Sequence, residues 1–374
     1  MNILTMIIFM LIFYGILLCG HFFLYFSLVK FLTITATNIK IWLGGGLLFL
    51  SISFILSSIL AHYSEGLLAR ATYSVFSFWL GAGWNLTLAF LISWVIVGFA
   101  KVGGQNFDYK YLVIFSIIFA IAYSAWGAWN AYNPRIRNIT VEIKNLPSAW
   151  VDKKAVQISD IHLGHIYGKK FLRNIINKVN SQKPDIVFIT GDLFDGMDGE
   201  LGGLVSPLGK IQASGEIYFI TGNHETYLGV DRSVSALKGT PIKFLDDEMI
   251  TIDGMQILGI SYPAPSEKKN LSQTLEKITE FNSQKPSILL HHHPNMAEEA
   301  KKLGINLQLA GHTHRGQIFP FQLITYLING RYHNGLTKEG DFSIYTSSGT
   351  GTWGPMMRTS GRSEIVVLNF VDKK

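Results

Sequence analysis

Six of the chain's eleven histidines lie in three short segments: Gly222-Asn223-His224-Glu225, His291-His292-His293 and Gly311-His312-Thr313-His314. Two earlier segments, Asp160-Ile161-His162 and Gly191-Asp192, add two carboxylates and another imidazole. Imidazole nitrogen and carboxylate oxygen are the ligands that suit zinc, manganese and iron, and a chain whose single cysteine is Cys19 builds no thiolate site. The Asp-x-His and His-x-His spacings matter because side chains i and i+2 of an extended segment point the same way and can embrace one ion. Glycines before Asp192, Asn223 and His312 let the backbone turn sharply and come close to it. There is no Walker loop to cradle a nucleotide, and no Ser-His-Asp motif competes for the role of nucleophile. A metal centre is the economical reading, with satisfied polar residues at strand ends as the plain alternative.

The elements that must position these segments are short apolar runs. Val156 to Ser159, Ile186 to Thr190, Ile217 to Thr221, Ile288 to Leu290 and Leu307 to Ala310 each run into one of the five segments. Ile257 to Ser261, Ile344 to Ser347 and Ile365 to Phe370 repeat the pattern, and the alternation from Ile136 to Ile143 predicts a first strand. Helical periodicity predicts helices over Lys170 to Ser181, Leu271 to Asn282 and Met296 to Leu303. The fold class is α/β: two sheets packed face to face with helices outside, an α-β-β-α sandwich. In such sheets the strand ends converge on one crevice, so ligands distant in sequence can meet there.

The first third of the chain is different. Met1 to Val29, Ile41 to Ala61, Ala71 to Ala100 and Tyr111 to Pro134 carry no charged side chain, and each is long enough to cross roughly 30 Å of hydrocarbon as a helix. We therefore read residues 1–134 as a domain of four transmembrane helices and 135–374 as the domain that carries the chemistry, in a multi-pass membrane protein. A cleaved signal peptide would begin with basic residues and have a shorter apolar core, whereas the first lysine is Lys30. Lys30, Lys40, Lys101 and Lys110 flank one face and Arg70, Arg135, Arg137 and Lys144 the other, so basic residues leave the orientation tied. Four spans put the N-terminus and the second domain on one side, and the uncharged N-terminus leans that side outward. The net charge of +6 is spread without a basic run, so no nucleic-acid surface is evident.

The ordered set Asp-x-His, Gly-Asp, Gly-Asn-His-Glu, a later His and Gly-His-x-His resembles the signature of the calcineurin-like metallophosphoesterases. The resemblance runs from about Ala155 to the C-terminus. Gly311 to Gln317, and Ser348 to Ile365 with Gly349, Gly351, Trp353 and Arg358, are similar to a branch often found membrane-tethered. It implies Asp160, His162 and His314 on one metal, Asn223, His292 and His312 on the other, and Asp192 bridging the two. The family ligand stands two residues before a proline, which selects His292 ahead of Pro294. His224 is then a catalytic partner of the phosphate that protonates the leaving oxygen or stabilises the transition state, and Asp192 belongs to the catalytic set as well as to the metals. Two divalent ions, manganese, iron or zinc, would hold a bridging hydroxide for in-line attack on a phosphodiester, pyrophosphate or phosphomonoester. A membrane-borne branch leans toward a lipid-linked substrate such as UDP-2,3-diacylglucosamine. The branch usually has glycine after its second histidine, where this chain has Arg315.

Some residues carry weaker expectations. His291 and His293 should pack beside the site, Arg315 and Arg358 grip phosphate or form surface ion pairs, and His21 makes one interhelical hydrogen bond. The apolar stretch Ile318 to Ile328 is either a core helix or a lip that meets lipid. A competing class makes the metal domain a non-catalytic sensor on a four-helix receptor or transporter. Against it stand the complete ligand set and the absence of charged residues within the spans.

Overall fold

A computed structural model describes residues 3–105, 108–197, 199–264 and 267–373. The chain divides into two compact units, one of residues up to Trp129 together with Gly354–Thr359, the other of Asn130–Trp353 and the residues from Ser360 onward.

The first unit contains helices α1 (Ile3–Phe31), α2 (Thr37–Tyr63) and α3 (Leu67–Val102) and most of α4 (Tyr109–Tyr132). All four are long and apolar enough to cross a membrane. A helix satisfies its own backbone groups, as hydrocarbon demands. Large apolar side chains such as Leu11, Ile41, Leu67 and Ile121 point outward, while Ser27, Ser77, Asn85, Ser93, Ser116 and Ser124 are buried. Several of these polar groups join helices: Trp94 Nε1 donates to Ser27 Oγ at 2.9 Å, Asn85 Nδ2 to Ser124 Oγ at 3.0 Å, and Ser93 and Ser116 share a 2.9 Å bond. His21 makes the expected interhelical bond, accepting from Trp79 Nε1 at 3.0 Å.

The segment Gly354–Thr359 was read as part of the second domain but packs in the helical unit. The Arg358 N–H donates to the Gly127 carbonyl at 2.8 Å, and Asn85 Nδ2 reaches Met357 Sδ at 3.5 Å. Glycine is required at position 127, because a Cβ there would stand 2.8 Å from Thr359 Cγ2. Arg358 is wholly buried, so a surface ion pair does not describe it. Among the described residues of the four helices no Asp, Glu, Lys or Arg is buried, whereas Arg358 of this returning segment is.

In the second unit the strands are β1 (Arg135–Ile143), β2 (Lys154–Ile158), β3 (Ile186–Thr190), β4 (Ile217–Ile220), β5 (Ile242–Phe244), β6 (Glu248–Ile252), β7 (Met255–Ile260), β8 (Ser287–His291), β9 (Leu307–Ala310), β10 (Gly335–Glu339), β11 (Phe342–Thr346) and β12 (Glu364–Asp372). The helices are α5 (Lys169–Ser181), α6 (Leu201–Val205), α7 (Asn223–Leu228), α8 (Val230–Ala236), α9 (Leu271–Lys277), α10 (Ala297–Lys302) and α11 (Gln322–Asn329). One sheet has the order β1-β12-β2-β3-β4-β5 and the other β10-β11-β9-β8-β7-β6. β2, β3, β4 and β5 run parallel, as do β7, β8, β9 and β11.

Alternation along each buried strand feeds two cores at once. In β3, Ile186 and Phe188 face the core between the sheets, while Val187 and Ile189 join Leu172, Ile175 and Val179 of α5 on the outer face. Leu289 and Ile344 similarly meet Leu271, Leu275 and Ala300 outside the second sheet. This is the expected two-sheet α/β sandwich. Each fully buried aliphatic side chain contributes about 1.5–3 kcal/mol, which fixes the register that presents the strand ends. β5, β6 and β10 were not anticipated. All three are edge strands in which Gly335 of β10 is the one buried residue, so they lack the continuous apolar run that marks a central strand. The helix predicted to Asn282 stops at Lys277.

Candidate metal centre

Five neighbouring strand ends deliver the candidate ligands. Asp160 and His162 follow β2, Asp192 follows β3, Asn223 and His224 open α7 after β4, His292 follows β8, and His312 and His314 follow β9. Three groupings result, each with ligand atoms within 4.8 Å of one another: Asp160 with His162 and His314, Asp192 with His292 and His312, and a third, His162 with Asp192 and His224, that shares a member with each of the first two. In the first, His162 Nε2 and His314 Nε2 are 3.1 Å apart, and His314 Nε2 is 3.3 Å from Asp160 Oδ1. In the second, His292 Nε2 is 3.1 Å from Asp192 Oδ2, and Asn223 Oδ1 lies 2.8 Å from His312 Nδ1. Asp192 Oδ2 is also 3.9 Å from His162 Nε2, so its carboxylate faces both the first and the second grouping.

The i, i+2 spacing works by a geometry other than the extended one expected. Asp160, His162, Asp192, His312 and His314 have φ of 53°, 54°, 51°, 69° and 48°, all in the left-handed region. The chain has left its strand at each of these positions and curls, so residues on either side of Ile161 and of Thr313 turn to one point. Such conformations cost on the order of 1–3 kcal/mol each and persist where the surroundings enforce them.

The donor chemistry fits a cation. Asp160 Oδ2 and His292 Nε2 are buried without a hydrogen-bond partner. His292 Nδ1 lies 2.7 Å from the Thr190 carbonyl, which can only accept, so that nitrogen carries a proton and Nε2 is the atom at which a cation would replace the second one. The carboxylates also call for positive charge. Burial disfavours the His292 imidazolium, but attraction to Asp192 and Asp160 outweighs it and pushes the pKa up to about 10. Burial likewise resists ionisation of Asp192, yet His292 and His224 hold its carboxyl well below the usual range.

His224 belongs to the third grouping and stands beside the other two. Its backbone N–H donates to Asp192 Oδ1 at 2.9 Å, its ring lies 4.6 Å from that of His162, and Nδ1 donates to the Asp195 carbonyl at 2.8 Å. That bond fixes the ring and leaves Nε2 for chemistry. Tyr227 and Trp353 flank the imidazole at 5.6 and 5.8 Å between centroids, and both are more than half exposed. His293 packs 4.3 Å from the His312 ring and His291 bonds the Ile260 carbonyl through Nδ1, the packing roles expected. Burial drives the His291 pKa down to about 3, so its ring is neutral.

Sequence reasoning missed three contributors. Glu225 accepts the N–H groups of Asp192, Gly222 and Phe194 at 2.9, 2.7 and 3.1 Å, tying β3's end to α7. Its place three residues after Gly222 is the capping-box spacing, a signal that was available. Asp195 orients His224 through its carbonyl, and burial pushes its own carboxyl up to about 7. Tyr262, whose ring is 6.1 Å from His292 and 6.2 Å from His312, gave no signal in the sequence.

Residues 153–316 match the family profile described as calcineurin-like phosphoesterase. The chain is 35% identical over 278 residues to an uncharacterized metallophosphoesterase of Campylobacter jejuni, covering 71% of this chain and 73% of that one. It is also similar to proteins named transmembrane protein with metallophosphoesterase domain. The Bos taurus protein is 34% identical over 66% of this chain and 59% of its own length, the Danio rerio protein 30% identical over 67% and 61%. The chain thus spans about three fifths of these vertebrate relatives.

Proposed function

The chain belongs to the calcineurin-like metallophosphoesterases, and from that premise we propose a membrane-bound hydrolase of phosphoesters, acting on a diester or pyrophosphate carried by a lipid. The observation that carries the reading is the pair of Asp/His groupings that Asp192 faces at once, with unpartnered buried ligand atoms in each. We assign Asp160, His162 and His314 to one divalent ion and Asn223, His292 and His312 to the other, with Asp192 between them. Such ions supply Lewis acidity toward phosphoryl oxygens and an activated water at neutral pH.

The chain's own residues do the rest. His292 is held by Thr190 with Nε2 aimed inward, and His224 by Asp195 with Nε2 left to carry a proton to the leaving oxygen. Tyr227 and Trp353 leave an open aromatic flank beside His224, where a second ester substituent finds apolar contact. That flank favours a diester over a monoester, and the four membrane-length helices favour a lipid-borne one. Residues 1–134 are the anchor in this reading and 135–374 the catalytic domain, with Gly354–Thr359 the part of the latter that packs among the helices.

Because of that segment the test uses the full chain in detergent. Hydrolysis of bis-p-nitrophenyl phosphate and p-nitrophenyl phosphate is measured metal-free and with manganese, for the wild type, Asp192→Ala and His224→Ala. Manganese-dependent turnover faster on the diester, abolished by Asp192→Ala and lowered about 10²–10⁴-fold by His224→Ala, is the expected result. Metal bound without turnover of either ester would favour the sensor reading instead.

A further inference from the structure

Fifteen consecutive residues, Gly316 to Gly330, contain no charged side chain and are bounded by Arg315 and Arg331. Eight of them form α11, and none of the eight is buried. Leu323, Ile324, Leu327 and Ile328 are 59, 50, 80 and 72% exposed, and Phe319, just before the helix, is exposed too. At 100° per residue these four aliphatic side chains share one face. The other face carries Gln322, Thr325 and Asn329: Thr325 Oγ1 donates to the Gln322 carbonyl at 3.0 Å and Asn329 Nδ2 to the Thr325 carbonyl at 3.2 Å, while Gln322 Oε1 is buried. A core helix would show the reverse, with its aliphatic face covered.

What covers that face follows from where α11 is rooted. Gln317 Nε2 donates to the Trp353 carbonyl at 3.0 Å, and the Trp353 N–H donates back to Gln317 Oε1 at 3.1 Å. On the other side the Ser360 N–H donates to the Gln317 carbonyl at 3.2 Å, and Ser360 Oγ to the Arg315 carbonyl at 2.8 Å. Trp353 and Ser360 are the residues that border Gly354–Thr359, the segment belonging to the unit of membrane-length helices. The turn that carries His314 and launches α11 is therefore fastened to both strands of chain that lead into that unit. A half-exposed tryptophan at this junction is the residue type favoured at the lipid–water boundary.

We infer that α11 and Phe319 form a lip that lies in the lipid surface, with the uncharged face of Leu323, Ile324, Leu327 and Ile328 among acyl chains. The occupant is the bilayer, because four helices long and apolar enough to cross one tie the chain to it, and α11 follows a turn bonded to Trp353 and Ser360, the chain neighbours of the segment Gly354–Thr359 that belongs with those helices. The inference concerns position and stands whether or not the site turns over any given ester.

The test uses the full chain in phosphatidylcholine vesicles, with Cys19→Ser and a single reporter cysteine, Leu327→Cys on α11 or Glu276→Cys on α9 as control. Each is labelled with the environment-sensitive fluorophore NBD. The expected result is blue-shifted emission at 327 that lipids doxyl-labelled near the headgroup quench several-fold more than at 276. Water-like emission at 327 overturns the inference. So does blue-shifted emission that doxyl lipid leaves untouched, since a second copy or another protein then covers the helix. Equal lipid quenching at both positions overturns it as well, because the contact is then not a property of α11.

Discussion

Gly191→Ala tests the idea that the site's geometry depends on backbone approach as much as on ligand identity. Gly191 sits between β3 and Asp192 with φ of 86°, where an L-residue is strained by roughly 1–2 kcal/mol. Its Cβ would stand 2.6 Å from His292 Nδ1 and 2.8 and 2.9 Å from the backbone N and Cα of Gly222, against 3.4–4 Å for ordinary contact. Backbone on one side and a hydrogen-bonded imidazole on the other leave no flexible neighbour, so His292 or the Gly222 turn must retreat by nearly an ångström. Overpacking of this kind costs about 1–3 kcal/mol, and a ligand or reacting group misplaced by an ångström costs on the order of 10² in rate. The control is Gly340→Ala in the β10–β11 turn, with φ of 64° but nothing within 4 Å of its Cβ. It has the backbone strain without the clash. Metal content after gel filtration and kcat on the diester are compared in the two variants. Gly191→Ala should lose metal and about two orders of magnitude in kcat while Gly340→Ala keeps both. Wild-type metal content and rate in Gly191→Ala, or equal losses in the control, would refute the reasoning.

Two further outcomes follow from the same geometry. Glu225→Gln can keep an oxygen toward the N–H groups of Asp192 and Gly222 but then turns an amide nitrogen toward that of Phe194, stranding one buried donor at about 1–3 kcal/mol. Thermal unfolding should show the loss, and unchanged stability would mean that this carboxylate does not brace the turn. Removing metal with EDTA should lower the unfolding temperature of the second unit, and manganese at a hundredfold excess over its Kd should restore about 2.7 kcal/mol. A transition unmoved by verified metal removal would contradict the fit of Asp160 and His292 to a cation.

The sequence by itself determined which residues could hold metal, because ligand chemistry resides in side-chain types and five segments ended apolar runs in one order. It also determined the four long apolar helices and the central strands, whose burial on both faces writes a continuous apolar signal. Edge strands β5, β6 and β10 escaped because one covered face leaves too little pattern, and their pairing depends on neighbours far along the chain. Only the tertiary structure decided how the candidate ligands converge, since left-handed turns at Asp160, His162, Asp192, His312 and His314 are held by the packed sheets rather than by local preference. Tyr262 is brought beside His292 and His312 by the same packing, with no spacing rule linking them. The return of Gly354–Thr359 to the helical unit was equally illegible. Its Gly-Pro-Met-Met-Arg-Thr sequence has neither the length nor the uniform apolarity of a span, and its place is fixed by the gap that Gly127 leaves and by the polar groups that meet it there.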